Sequence, residues 1–224
     1  MAVKFIKDLE SFKEICSRYG VTLPVCNDAQ ILKQPVTVDG KKIPNRIVYQ
    51  AMEGCDGTAD GDLGELTRRR YLRFARGGAG LIWFEATAVK KEGRANPRQM
   101  FISEENKESY KKFVKEVKST CLLENGYEPV IIMQLTHSGR YSKPNGYPEP
   151  IIAYNSPVYE KEPIDKSRII TDDELDALQD LYVKSALLAK EAGFDGVDIK
   201  SCHRYLLSEL LSAYTREGKY GGSY

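Results

Sequence analysis

The chain has 224 residues, 42% hydrophobic and 29% charged, enough to bury a substantial core as one domain or two small ones. Its 33 Lys and Arg stand against 32 Asp and Glu, a formal charge of +1, without the basic excess that a nucleic-acid backbone requires of its partners. No run approaches the roughly 20 apolar residues of a membrane span, and the opening Met1-Ala2-Val3-Lys4-Phe5-Ile6-Lys7-Asp8 is too charged for a secretory signal, so the expected compartment is the cytoplasm.

In chain order, Leu9 to Tyr19 reads as a helix and the rest of residues 1–29 as an irregular N-terminal extension with no assignable chemistry. Pro35 to Pro44 reads as a β-hairpin around Asp39-Gly40. From residue 45 onward, short β-rich runs alternate with helical ones. The first strand is Ile47 to Ala51, followed by a helix with Thr67, Tyr71, Phe74 and Ala75 on one face and an end at Gly77-Gly78. Gly80 to Glu85 is the second strand. The second helix is expected from Glu104 to Glu124, capped by Ser103, with Tyr110, Phe113, Val114, Val117 and Cys121 buried and Gly126 beyond its end. Val130 to Leu135 is the third strand, and the long Tyr- and Pro-rich stretch from Tyr141 to Arg168 suggests a loop over a site. Thr171 and Glu174 form a capping box for a helix that carries Leu175, Leu178, Tyr182, Ala186 and Ala189 at helical spacing and stops at Gly193. Val197 to Lys200 is the fourth strand, and another helix begins near Leu206. Each strand begins apolar and ends polar, so an α/β fold with a parallel sheet and chemistry at the carboxyl ends of its strands is expected. Cys16, Cys26, Cys55, Cys121 and Cys202 are odd in number and match no disulfide framework or metal-ligand spacing, and read as reduced thiols.

Six pieces carry a resemblance: Lys42-Ile43-Pro44-Asn45-Arg46-Ile47-Val48, Ala51-Met52, Glu85-Ala86-Thr87, Gln134-Leu135-Thr136-His137-Ser138-Gly139-Arg140, His203-Arg204-Tyr205-Leu206 and Tyr220-Gly221-Gly222-Ser223. In order and spacing they resemble the Old Yellow Enzyme family of FMN-dependent oxidoreductases, from approximately residue 30 to the end. The resemblance implies a (β/α)₈ TIM barrel with FMN at the carboxyl ends of its strands. It implies that residues 30–224 are a partial barrel, truncated after about four β/α units, and that the loops holding the flavin phosphate lie outside this chain. Such a half-barrel exposes two strand edges and is expected to aggregate or to associate as a homo-oligomer.

By the same resemblance, Ala51, Met52 and Glu53 line the flavin ring, with Ala51 where many relatives have Pro and Glu53 where many have Cys or Thr. An acid there makes the flavin harder to reduce, unless Glu53 points to solvent. Ala86 resembles the small residue that lets the ring edge approach, its plain alternative being a tight strand-to-loop turn. The Gln134 amide both donates and accepts, as the flavin pyrimidine edge requires, its plain alternative being a polar strand-end residue. Lys200 and His203 occupy the pair of positions that grip the substrate carbonyl; the lysine is a departure that polarises a carbonyl more strongly or pairs with a substrate carboxylate, unless it is neutralised by Glu85 or Asp198. Tyr205 matches the proton donor, its plain alternative being a buried structural tyrosine. His137 is read as loop packing or a weak ligand contact, and Cys202 as either reactive beside two basic groups or, the commoner fate, buried and inert. The implied activity is reduction of α,β-unsaturated carbonyl compounds, small-molecule substrates, by NADH or NADPH through FMN. The alternatives are a flavin-free lyase or aldolase using Lys200 as a Schiff-base amine, and a catalytically silent half-barrel that oligomerises.

Overall fold

The computed structural model describes residues 6–26 and 28–222. Ser223 of the Tyr220-Gly221-Gly222-Ser223 piece lies outside the described residues. Helix α1 (Leu9–Arg18) is held by a capping box between Asp8 and Ser11. The hairpin pairs β1 (Val36–Val38) with β2 (Lys41–Ile43), and Asp39 and Gly40 both adopt positive φ, 47° and 73°, as a tight two-residue turn demands.

The main sheet has four parallel strands in the order β3 (Val48–Tyr49), β4 (Leu81–Ala88), β5 (Val130–Thr136) and β6 (Gly196–Ile199). Their crossovers carry α2 (Glu65–Arg76), α3 (Lys107–Asn125) and α4 (Asp172–Glu191), and α5 (Leu206–Leu210) follows β6. Strand β3 is shorter than expected: Tyr49 stacks on Phe74 at 4.1 Å, and beyond it the chain leaves the sheet to meet the Glu85 carboxylate through the Gly54 N–H at 2.7 Å. Strand β4 is longer than expected because an irregularity between Phe84 and Thr87 shifts the register and lets pairing resume with Leu135 and Thr136.

Helix α3 begins at Lys107 and not at Glu104. The Asn106 amide folds back, accepting from Ser103 N–H and donating to Phe101 O at 2.8 Å each, so Ser103 is not the cap. The far end follows the expectation, with Gly126 left-handed at φ 78°. Thr171 and Glu174 form the capping box of α4, whose buried stripe contains Ser185 and Leu188 where the sequence pattern favoured Ala186.

One face of the sheet carries the core. Phe84 is fully buried and meets Tyr71 at 4.7 Å and Phe194, Phe113 and Tyr110 at 5.4, 5.9 and 6.2 Å. Ile82, Ile131 and Met133 are buried with it. The alternate residues Leu81, Trp83 and Ile132 are only half-buried on the opposite face. At the two edges, Val48 and Ile199 are 40% and 44% exposed. The fold is thus α/β, four strands of a TIM-type barrel with helices outside. The segment between α4 and the sheet's mouth, 141–168, contains only short 3₁₀ turns and is tied down by a bridge between Ile152 and Ile169 and by ion pairs from Arg140 to Glu160 and Glu209.

Candidate active site

The carboxyl end of the sheet gathers most of the residues the sequence singled out. Strands β5 and β6 place Gln134 opposite Asp198, and the Gln134 amide donates from Nε2 to Asp198 Oδ2 at 2.7 Å. Two residues on, Lys200 is bonded through its N–H to Leu135 O at 3.0 Å, so it stands next to Gln134 at the strand end. Its ammonium is buried, 3.6 Å from Glu53 Oε1 and 4.7 Å from the centre of the Tyr205 ring. A cation over a phenol ring in such a place contributes about 1–2 kcal/mol.

Neither Glu85 nor Asp198 neutralises Lys200; Glu53 does. That also overturns the picture of Glu53 in free solvent, since its side chain is only 20% exposed. Burial pushes the Glu53 carboxyl up, Lys200 pulls it partly back, and Glu85 adds to the rise. The Tyr205 phenol is pushed up to about 12, first by burial and then by the Glu53 charge, so at neutral pH it carries its proton.

Between Lys200 and Tyr205 the chain turns through two consecutive left-handed residues, His203 at φ 59° and Arg204 at φ 57°. Neither is glycine, and each such conformation costs about 1–2 kcal/mol. The Tyr205 N–H closes the turn on Cys202 O at 3.1 Å, and Tyr205 leads directly into α5. The turn lifts His203 and Arg204 into the open, with the His203 ring 6.2 Å from that of Tyr205 and the Arg204 guanidinium 4.7 Å over Tyr159 of the long loop. Tyr141 reaches the same place, 6.1 Å from Tyr205. Cys202 is exposed, contrary to the expectation of a buried thiol, because it sits on this turn.

Ala51 and Met52 lie on the adjoining loop after β3, Ala51 half-buried and Met52 exposed. Ala86 does not join the rim. It lies buried inside β4, not at a turn, with its carbonyl accepting from Gln99 Nε2 at 3.2 Å. His137 is loop packing: it is 2% exposed, with Nδ1 accepting from the Gly139 N–H and its carbonyl from Leu206 N–H.

Sequence reasoning missed the framework under Glu53. Arg70 of α2 donates to Asp56 at 2.6 Å and to Glu85 at 2.5 Å, and Glu85 also accepts from Gly54 N–H and the Tyr71 hydroxyl. A Cβ at Gly54 would fall 2.3 Å from the Arg70 guanidinium, so the loop closes on Arg70 only because position 54 has no side chain. Burial alone pushes Asp56 up, but the Arg70 and Thr67 hydrogen bonds outweigh it and leave the carboxyl below its ordinary value. The one available signal was an acid inside the apolar run Leu81-Ile82-Trp83-Phe84-Glu85, which demands a buried cation from elsewhere.

A profile of the NADH:flavin oxidoreductase / NADH oxidase family matches residues 32–224. The NADPH dehydrogenase of Geobacillus sp. (strain WCH70) is 36% identical over 198 residues, covering 86% of this chain and 55% of that protein. For the NADPH dehydrogenase of Bacillus subtilis the values are 32% over 201 residues, with 87% and 56% covered. The chain therefore spans about half the length of the curated relatives it matches. Among solved structures, the Old Yellow Enzyme homologue of Zymomonas mobilis superposes with a TM-score of 0.70 at 30% identity, over 86% of this chain and 55% of that one. A 2-naphthoyl-CoA reductase complex superposes with a TM-score of 0.74 at 21% identity, over 87% of this chain and 31% of that one, a likeness of fold alone. Because the profile spans all four strands and the same four superpose on barrels of this kind, the chain belongs to the NADH:flavin oxidoreductase / NADH oxidase family, in its Old Yellow Enzyme branch.

Proposed function

We propose that this chain supplies the ring-facing and substrate-facing part of an FMN-dependent NAD(P)H oxidoreductase that reduces activated alkenes. The observation that carries the reading is the convergence of Lys200, Tyr205 and Glu53, with the Lys200 ammonium 4.7 Å over the phenol and 3.6 Å from the carboxylate, beside Gln134 at the mouth of the sheet.

The donor set fits the ring system of FMN. Gln134 donates through Nε2 to Asp198, leaving its carbonyl oxygen for an N–H of the ring, while Ala51 adds no side chain beyond Cβ to obstruct a flat ligand. Met52 and Glu53 would flank the ring from the loop after β3. When bound, FMN supplies a hydride taken from NADH or NADPH. Lys200 and His203 would hold the substrate oxygen and stabilise the negative charge that grows on it, an effect worth about 3 kcal/mol per well-placed donor. Tyr205, protonated at neutral pH, would deliver its proton to the carbon next to the carbonyl. Packing of the phenol under Lys200 and against Tyr141 fixes its direction.

Tyr205→Phe in the FMN-loaded protein tests this. Steady-state reduction of an enone such as 2-cyclohexenone is expected to fall by about 10²–10⁴-fold, with flavin reduction by NADPH unchanged in a stopped-flow trace. Unimpaired alkene reduction removes Tyr205 from the mechanism.

A further inference from the structure

We propose that the acceptor in this site is an α,β-unsaturated carboxylate, seated through its carboxylate group on the Lys200 ammonium, in preference to a neutral enal or enone. The inference rests on the flavin-reductase reading above and adds the charge of the substrate.

The Lys200 side chain is 6% exposed, yet its three N–H donors meet the Glu53 carboxylate only at 3.6 Å, well beyond the roughly 2.7–2.9 Å of a charge-assisted hydrogen bond. The other acids that sequence reasoning offered it are engaged elsewhere. Asp198 accepts from Gln134, and Glu85 accepts from Arg70, Tyr71 and the Gly54 N–H. On its remaining side the ammonium rests on the Tyr205 ring, which attracts a cation but accepts no conventional hydrogen bond. A buried ammonium so loosely held favours an incoming anion over a neutral carbonyl, and the exposed Arg204 on the adjoining turn gives the entrance the same sign.

Glu53 lets the anion enter. The groups facing it are Lys200 and Tyr205 from the β6 end and its turn, Glu85 from β4, and Cys55 on its own loop, with Asp56, Arg70 and Cys202 behind these. Burial has already raised its carboxyl, and a second carboxylate on the same ammonium raises it further, so Glu53 takes a proton from water as the substrate binds. The net charge of the pocket is unchanged.

The same pair meets the harder chemistry of such a substrate. Hydride at the β-carbon breaks the C=C π bond and drives its electron pair onto the carboxylate oxygens, giving a doubly charged enediolate where an enone gives a singly charged enolate. Lys200 and the protonated Glu53 are both donors to those oxygens, and Tyr205 then transfers its proton to the α-carbon and regains one from water. Overall, the enoate, NAD(P)H and one proton yield the saturated carboxylate and NAD(P)⁺.

The test uses the FMN-loaded protein at the full length its gene encodes, with cinnamate and the neutral 4-phenylbut-3-en-2-one as matched acceptors. Expected are a kcat/KM at least tenfold higher for cinnamate, and in Lys200→Gln a loss on cinnamate at least tenfold larger than the loss on the ketone. Calorimetry with the saturated analogue 3-phenylpropanoate, in two buffers of different ionisation heat, is expected to show uptake of close to one proton, abolished in Glu53→Gln. A preference for the ketone, or equal losses on both acceptors in Lys200→Gln, overturns the proposal. So does 3-phenylpropanoate binding that survives Lys200→Gln or takes up no proton. A colourless protein that reduces neither acceptor sinks the flavin reading instead, while Lys200-dependent binding of 3-phenylpropanoate to it still upholds the carboxylate seat.

Discussion

Acid is expected to unfold this chain in part through His137. The imidazole is 2% exposed and packed so closely on Gly93 that a Cβ there would come within 2.6 Å of the ring. Nδ1 accepts the Gly139 N–H at 3.1 Å, which places the ring proton on Nε2. A second proton would have to enter at Nδ1, directly against that N–H. Burial, followed by the nearby Lys90 charge, draws the pKa from 6.5 down to about 4. Between those values the unfolded chain holds a proton that the folded chain refuses. The stabilisation is therefore complete above pH 6.5 and is lost as pH falls towards 4. At about 1.36 kcal/mol per pH unit, it amounts to about 3 kcal/mol. Asp56 and Asp195 do not confuse this window: burial pushes both up, but their partners outweigh it and hold them below 3.8, so their loss comes at more acid pH. Burial raises the Glu53 and Glu209 carboxyls, which act in the opposite sense over the same range, so in urea unfolding at pH 7, 6, 5 and 4 the His137 share is read from the difference: the midpoint should lose more ground towards pH 4 in the unaltered chain than in His137→Gln, with little change in slope. The chain has 2 histidines, so the buried ring can be followed apart from the exposed His203 by nitrogen-detected titration. A folded-state His137 that titrates near 6.5 would refute the argument. Because His137 O accepts the Leu206 N–H, the turn bearing Tyr205 should loosen in the same pH range.

Two further changes probe the framework. Arg70→Met strands Glu85, which is 3% exposed, with a buried charge; with Arg70 itself partly solvated, the loss in urea unfolding should be about 3 kcal/mol, the low end for a broken buried pair. Arg70→Met combined with Glu85→Gln should cost less than the sum of the two single changes, and strict additivity would count against a shared ion pair. Phe84→Ala removes the ring on which Tyr71, Tyr110, Phe113 and Phe194 converge, and should lower stability by about 3–5 kcal/mol. A loss under about 1 kcal/mol would mean that the neighbouring rings collapse into the gap.

What could be read from the sequence was what local chemistry dictates. Asp39-Gly40 permits only a tight turn, Thr171 with Glu174 closes a capping box whatever surrounds it, and Gly126 ends α3 because it tolerates φ 78°. The misreadings lie where a distant partner decides. Ser103 looks like a cap until Asn106 turns back on Phe101, and β4 ends at Glu85 only if the register shift that returns Thr87 to Leu135 is unknown. Lys200 shows the limit most clearly. Its place at a strand end was evident and Glu85 and Asp198 were the partners on offer, but the loop after β3 delivers Glu53 instead, through the Gly54 N–H on Glu85 and the grip of Arg70 on Asp56.

That grip explains how strands with open edges can still present an oriented site. The inner face keeps Leu81, Trp83 and Ile132 half-exposed, and among the described residues neither β3 nor β6 has a second neighbour in the sheet. Yet Glu53, Gln134 and Tyr205 at the mouth are fixed from within. Glu53 is placed by the Glu85–Arg70–Asp56 framework, Gln134 by Asp198 across one pair of strands, and Tyr205 by its hydrogen bond to Cys202 and by α5. Lys200 is bonded through its backbone to Leu135 and is the point where the three supports meet. A substitution on the open inner face, such as Ile132→Ala, should therefore change stability and association while leaving the Glu53–Lys200–Tyr205 geometry in place. Arg70→Met should disturb that geometry by releasing the loop that carries Glu53, since Arg70 holds Asp56 and Glu85.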